Sequence, residues 1–152
     1  MFEIDSDGFV AGLGLLEAEL EQNMGTALAN ALNAIASTAK ELAPEDTSLL
    51  KTSIQPLPIS GSYIAGTLEG FVEAGAPYAL AVEEGTQPHE IRPRFRRSLR
   101  FPVEGGFVFA RVVQHPGTAP QPFMEPALRQ ETPDILAEFE AALDLSFHRA
   151  GF

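Results

Sequence analysis

Apolar residues at Leu13, Leu16, Leu20, Met24, Leu28, Leu32, Ile35, Ala39 and Leu42 recur at steps of three or four, the spacing that lines one face of an α-helix. Pro44 closes the pattern, because it lacks the amide donor that another turn would need. An unbroken helix from Gly12 to Ala43 would run about 48 Å at ~1.5 Å per residue. A compact globule of this size is only about 38 Å across. The pattern therefore predicts either a kink near Gly25 or a helix that extends beyond its own subunit.

Beyond Pro44 the period changes. PEDTS reads as a turn rich in helix-capping types, and LLKTSIQPLPI and SYIAGTLEGFVEAG alternate Thr, Ile, Val and aromatic residues with Gly and Pro, which predicts strands of an antiparallel sheet. Pro56 and Pro58 suit an edge or an irregular strand. APYALAVEEG predicts a short helix that starts near Pro77 and stops at Gly85. SLRFPV and FVFARVV flank EGG and read as a β-hairpin. Last, Leu136, Phe139, Leu143 and Phe147 share one face of a C-terminal helix whose regular part Pro133 should limit on its N-terminal side. The order is α+β: an antiparallel β-sheet with a long N-terminal helix, a short middle helix and a C-terminal helix, without internal repeats or a detachable linker.

Composition narrows this picture. At 152 residues and 45% hydrophobic content the chain suffices for one domain with one core, residues 1–152. No cysteine is present, so the fold stands without disulfides or thiolate chemistry. MFEIDSDGFV is acidic where a secretion signal has a basic region, and no apolar run reaches the length of a membrane span. The formal net charge of −11 argues against a general duplex-DNA binder, which needs a basic surface. The charge is uneven. Lys40 and Lys51 are the only basic residues through Ile91, after which Arg92, Arg94, Arg96, Arg97 and Arg100 crowd into nine positions.

Three chemistries compete for these polar residues. Glu83, Glu84, His89 and Glu90, with His115 downstream, could in principle hold zinc for a metal-dependent hydrolase. Gly85 and Pro88 interrupt any helix that would bring Glu83 or Glu84 and His89 onto one face, so solvated loop side chains are the simpler reading. There is no glycine-flanked serine elbow and no Walker phosphate loop, and the expectation is a chain without catalytic, metal or cofactor residues. The arginine loop reads as solvated charge, as a contact with carboxylates of another subunit, or as a nucleic-acid-binding module with Phe95 as a stacking platform. Acidity elsewhere shifts weight from the last of these to the second.

One more stretch, HPGTAPQPFMEPAL, places a His-Pro-Gly turn and a proline-stiffened arm before a helix. Pro120 and Pro122 restrict the arm, so Phe123 and Met124 could be placed against a partner or against the subunit's own core at a small entropic cost.

Three segments in order, ELAPEDTSLLKTSI, YALAVEEGTQPHEI and HPGTAPQPFMEPAL, resemble the tail-completion (head-tail joining, or neck) proteins of long-tailed bacteriophages, prophages and gene transfer agents. The resemblance covers about residues 36 to 128, and Ser48 stands where many members have a glycine. It implies a non-enzymatic structural virion protein forming a homo-oligomeric ring, a hexamer, at the neck. Its implied partners are a head-closure or connector protein on one side and a tail terminator or tail tube protein on the other. DNA would pass through the lumen without specific binding. The chain would be assembled in the host cytoplasm and reside in the virion.

Overall fold

A computed structural model describes residues 6–44 and 48–152. Its elements, in chain order, are helices α1 (Ser6–Leu42) and α2 (Ser48–Ser53), strands β1 (Ile54–Pro56) and β2 (Val72–Ala74), helix α3 (Ala79–Glu84), strands β3 (His89–Ile91), β4 (Leu99–Val103), β5 (Gly106–Ala110) and β6 (Val113–His115), and helix α4 (Met124–Ala150). The class is α+β. The strands pair antiparallel, but as three separate two-stranded ladders, β1 with β2, β3 with β6 and β4 with β5. The turn read at PEDTS falls on residues 45–47, outside the described residues.

The described residues group into two compact units, one running up to Ala76 and resuming as Phe123–Phe152, the other Pro77–Pro122. In the first, α1 and α4 pack antiparallel, as a series of cross-helix contacts records. Phe152 meets Phe9 edge-on. Arg149 pairs with Glu19 at 3.2 Å, Asn23 donates to the Ser146 hydroxyl at 2.9 Å, Asn30 to Glu138 at 2.6 Å, and Thr38 to Glu131 at 2.5 Å. As the α1 number rises the α4 number falls, which fixes the register. Ser146 is fully buried and its hydroxyl donates to the Ala142 carbonyl at 2.8 Å, so it is satisfied in both directions.

The buried face of α1 differs from the leucine stripe that the periodicity marks. Met24, Leu32 and Ala39 of that stripe are buried, yet Leu13 and Leu42 are more than 40% exposed. Most of the buried positions are alanine, Ala27, Ala31, Ala36 and Ala39 in α1 and Ala43 just after it, and α4 contributes Ala127. Small side chains are readily enclosed where helices pack, so burial here follows size as much as hydropathy. Gly25 lies inside one continuous helix, which at 37 residues is about 55 Å long.

Several sequence expectations are corrected, and of SYIAGTLEGFVEAG only Val72–Ala74 is a regular strand. LLKTS belongs to helix α2, and only Ile54–Pro56 is strand, because Thr52 and Ser53 turn their hydroxyls back onto carbonyls three or four residues earlier. Pro133 does not delimit α4 but sits within it. The helix absorbs one missing amide because its tenth position is solvent-exposed and its remaining turns are anchored on α1. Phe123, only 1% exposed, occupies the N-cap position of α4, and Leu50 and Ile54 are buried to a similar degree.

The second unit has a different economy. α3 begins just after Pro77 and ends at Gly85 as its sequence indicates, and the β4–β5 hairpin turns through Gly105, whose φ is 87°. FVFARVV is not one strand. It divides into β5 and β6, and β6 pairs with β3, a strand that its polar sequence HEI conceals.

Candidate functional site

Two of the three motif segments meet in the second unit. The Gly-Thr of YALAVEEGTQPHEI and the Gly-Thr of HPGTAPQPFMEPAL form an antiparallel bridge, Thr86 to Thr118, with amide-to-carbonyl bonds of 3.0 and 3.1 Å in both directions. The threonine hydroxyls lie 3.1 Å apart, and the Thr118 amide also reaches the Thr86 hydroxyl. Each threonine follows a glycine at positive φ, 72° at Gly85 and 86° at Gly117. A β-carbon on Gly117 would lie 2.2 Å from the Thr86 carbonyl oxygen, and one on Gly85 2.5 Å from that of Thr118. Both the backbone angle and the close approach therefore require glycine. The φ at Gly117 also fits the third position of a type II turn with Pro116 before it.

The proline arm continues from this bridge. The Gln121 amide donates to the Val82 carbonyl at 2.8 Å, which straps the arm to α3. Pro120 and Pro122 are exposed along it, Met124 is half-buried, and Phe123 is buried in the first unit. Of the two placements open to Phe123, it takes the inward one.

Beside the bridge lies a cleft of about 280 Å³ lined by Tyr78, Val82, Thr86, His89, His115 and Ala119, among others. The register of β3 and β6 sets His89 opposite His115, and their rings stack with centroids 5.0 Å apart. Their Nδ1 atoms are engaged locally, His89 with the Gln87 carbonyl at 2.9 Å and His115 accepting from the Gly117 amide at 3.1 Å. Glu90 is occupied elsewhere, in an ion pair with Arg92 and a 2.9 Å bond from Gln114, its register partner. The Arg92 hydrogen bond holds the Glu90 carboxyl below its ordinary range. Among the described residues no three His, Asp or Glu side chains come together as a metal site. The cleft lining offers two imidazoles and two threonine hydroxyls and no carboxylate.

The arginines divide by what they touch. Arg92 pairs with Glu90, and the Arg100 guanidinium sits 3.4 Å above the Phe107 ring. Arg94, Arg96 and Arg97 are exposed and form no ion pair among the described residues. Between them Phe95 stands 96% exposed. The hairpin that follows is apolar on both faces, with Phe101 and Val108 on one and Phe107 and Phe109 on the other, all at least 37% exposed. A lone two-stranded hairpin of this composition is marginal in water and presents the kind of patch that marks an interaction surface.

No family model, curated protein or solved structure matches this chain. Among the described residues no helix is long and apolar enough to cross a membrane. The Thr86–Thr118 bridge and the His89–His115 stack escaped the sequence reading. The doubled Gly-Thr dipeptide was the available signal for the first, and the second depended on finding β3.

Proposed function

We propose that this chain is a structural virion protein of a phage-type neck, a subunit of a homo-oligomeric ring that completes the tail and joins the DNA-filled head to it. It catalyses no reaction. The observation that carries this reading is the Thr86–Thr118 bridge, because two of the motif segments that resemble neck proteins form one backbone lock through residues 32 positions apart. A lock of backbone bonds and obligatory glycines organises a surface rather than a reaction centre, as a ring subunit requires. The exposed hairpin and arginine loop in the same unit supply surface for neighbours on the head and tail sides. The net charge of −11 suits a ring whose lumen lets DNA slide without capture, since like charges repel phosphate.

Genetic removal tests the reading. Without this chain, the particles of its parent genome should accumulate as filled heads and separate tails, and adding the purified chain to that extract should restore joined particles. Joined, infective particles at the parental yield in its absence would overturn the neck role.

A further inference from the structure

The molecule carries a knob and a hole of opposite character. Phe95 is the knob, the most exposed large apolar side chain described, and its neighbours Arg94, Arg96 and Arg97 are exposed and lack ion-pair partners among the described residues. The basic character is concentrated: residues 92–111 hold six arginines against the single Glu104, whereas the rest of the chain has four basic side chains against twenty acidic ones. A second copy therefore offers many more carboxylates than cations outside residues 92–111.

The hole is in the first unit, a groove of about 330 Å³ lined by Leu32, Ile35, Gly70, Phe71, Met124 and Leu128, among others. Gly70 creates its floor. A β-carbon there would lie 2.5 Å from the Leu32 methyl, so the glycine lets its segment press onto α1 and leaves no side chain in the groove. The walls stay uncovered, with Phe71 58% and Leu128 52% exposed. The surroundings are acidic. Glu69 and Glu73, both exposed, flank the Gly70–Val72 stretch, and Glu125, which lines the groove, is in an ion pair with Arg129.

We infer that Phe95 of one copy inserts into this groove of a second copy, with Arg94, Arg96 and Arg97 facing its carboxylates. An apolar anchor inside a ring of opposed charges is the arrangement in which the anchor supplies affinity and the charges supply encounter rate and register. The groove is large enough for a benzyl side chain. Repeated head to tail, the contact closes into a ring or continues as a filament, and exchanged reciprocally between two copies it gives a two-fold dimer. A single such contact is small, and it becomes durable when each copy gives and receives one. The inference goes beyond the neck reading, since it names the residues of a copy-to-copy contact and holds for any ring or filament of this chain.

Complementary variants test it. Phe95→Ser removes the knob and Leu128→Arg blocks the hole, and both positions are exposed, so each chain should fold as the parent by circular dichroism and melting. In sedimentation at low salt, up to ~1 mM, the parent should self-associate and added salt should weaken it. Each variant alone should associate at least about tenfold more weakly. An equimolar mixture of the two should form one-to-one dimers and nothing larger, because it contains one intact knob and one intact hole. A parent that stays monomeric throughout, or variants that assemble like the parent, overturns the contact. If Phe95→Ser blocks head-tail joining while the parent stays monomeric, the knob serves a different protein, which also overturns it and leaves the neck role standing.

Discussion

The two units of this chain solve stability in opposite ways. In the first, α1 and α4 are joined by four polar contacts along their length, and the buried residues are mostly alanine together with Met24, Leu32, Leu50, Ile54 and Phe123. In the second, Ala79 is the sole apolar residue that is buried, while Phe95, Phe101, Phe107 and Phe109 remain at the surface. What holds the second unit is backbone pairing: the Thr86–Thr118 bridge, the short β3–β6 and β4–β5 ladders and the strap from Gln121 to Val82. Backbone bonds contribute about 0.5–1.5 kcal/mol each, much less than a well-packed core. The difference teaches where the proposed contacts would fall: a unit with little buried apolar surface of its own and an exposed aromatic hairpin suits completion against a neighbour.

The largest break in this contrast is Phe123→Ala. Removing a fully buried phenylalanine should cost the isolated chain about 3–5 kcal/mol, from lost burial and the cavity left behind. Thermal or urea melting checks it, and a parental melt would mean that burial of Phe123 does not hold the first unit. Next is Gly117→Ala in the second unit, where the added methyl meets the Thr86 carbonyl at 2.2 Å and the backbone sits at a φ of 86°. Here the loss should be local, about 1–3 kcal/mol of strain and broken pairing. Amide exchange at Thr86 and Thr118 should quicken while amides near Met24 and Ser146 keep their protection. Uniform loss of protection would show that the two units do not respond separately.

Pro133→Ala sharpens the comparison from the other side. In α4 the proline leaves the Arg129 carbonyl without its helical amide, so an alanine should restore a bond and stabilise the chain by about 1–3 kcal/mol. The first unit has the spare packing to show such a gain in its melting temperature, and no change would mean that water or a bend already compensates the gap.

The same contrast explains what was legible in the sequence. Helices with long-range periodicity, Leu20 to Ala39 and Leu136 to Phe147, stood out because burial repeats every turn. The buried alanines were harder to see, since Ala27, Ala31 and Ala36 rank low on any hydropathy reading and are buried for their size. Pro133 misled because tertiary packing outweighed a local penalty. In the second unit, glycines marked the stops of α3 and the hairpin turn, whereas β3 was hidden because its three residues His89, Glu90 and Ile91 are paired by backbone and carry no apolar alternation. The arginine loop was visible as charge, but its acidic groove was not, because Leu32, Gly70 and Leu128 come from three distant segments.

The smallest expected effect concerns the part of the first unit that behaves like the second, the segment between β1 and β2. It lacks a core of its own, and its tip is held to α1 by one carboxylate: Glu21 accepts from the Ser62 hydroxyl at 2.9 Å and from the Ile64 amide at 3.1 Å. The Ile64 bond first, then the Ser62 bond, hold this carboxyl below its ordinary value of 4.5. A carboxyl lowered in the folded state contributes stability that is fully present above its unfolded value. That contribution is lost as pH falls through the lowered one. The Ile64 amide should therefore be protected from exchange at neutral pH and released in an acid step beginning below 4.5, before the helices of the first unit open. Glu21→Gln keeps the size and one acceptor but removes the charge, so the amide should exchange faster at neutral pH and the acid step should vanish, with the global melt almost unchanged. A variant that retains the parental acid step would assign that transition to another carboxylate and leave the tip anchored by its own Tyr63 to Gly66 turn.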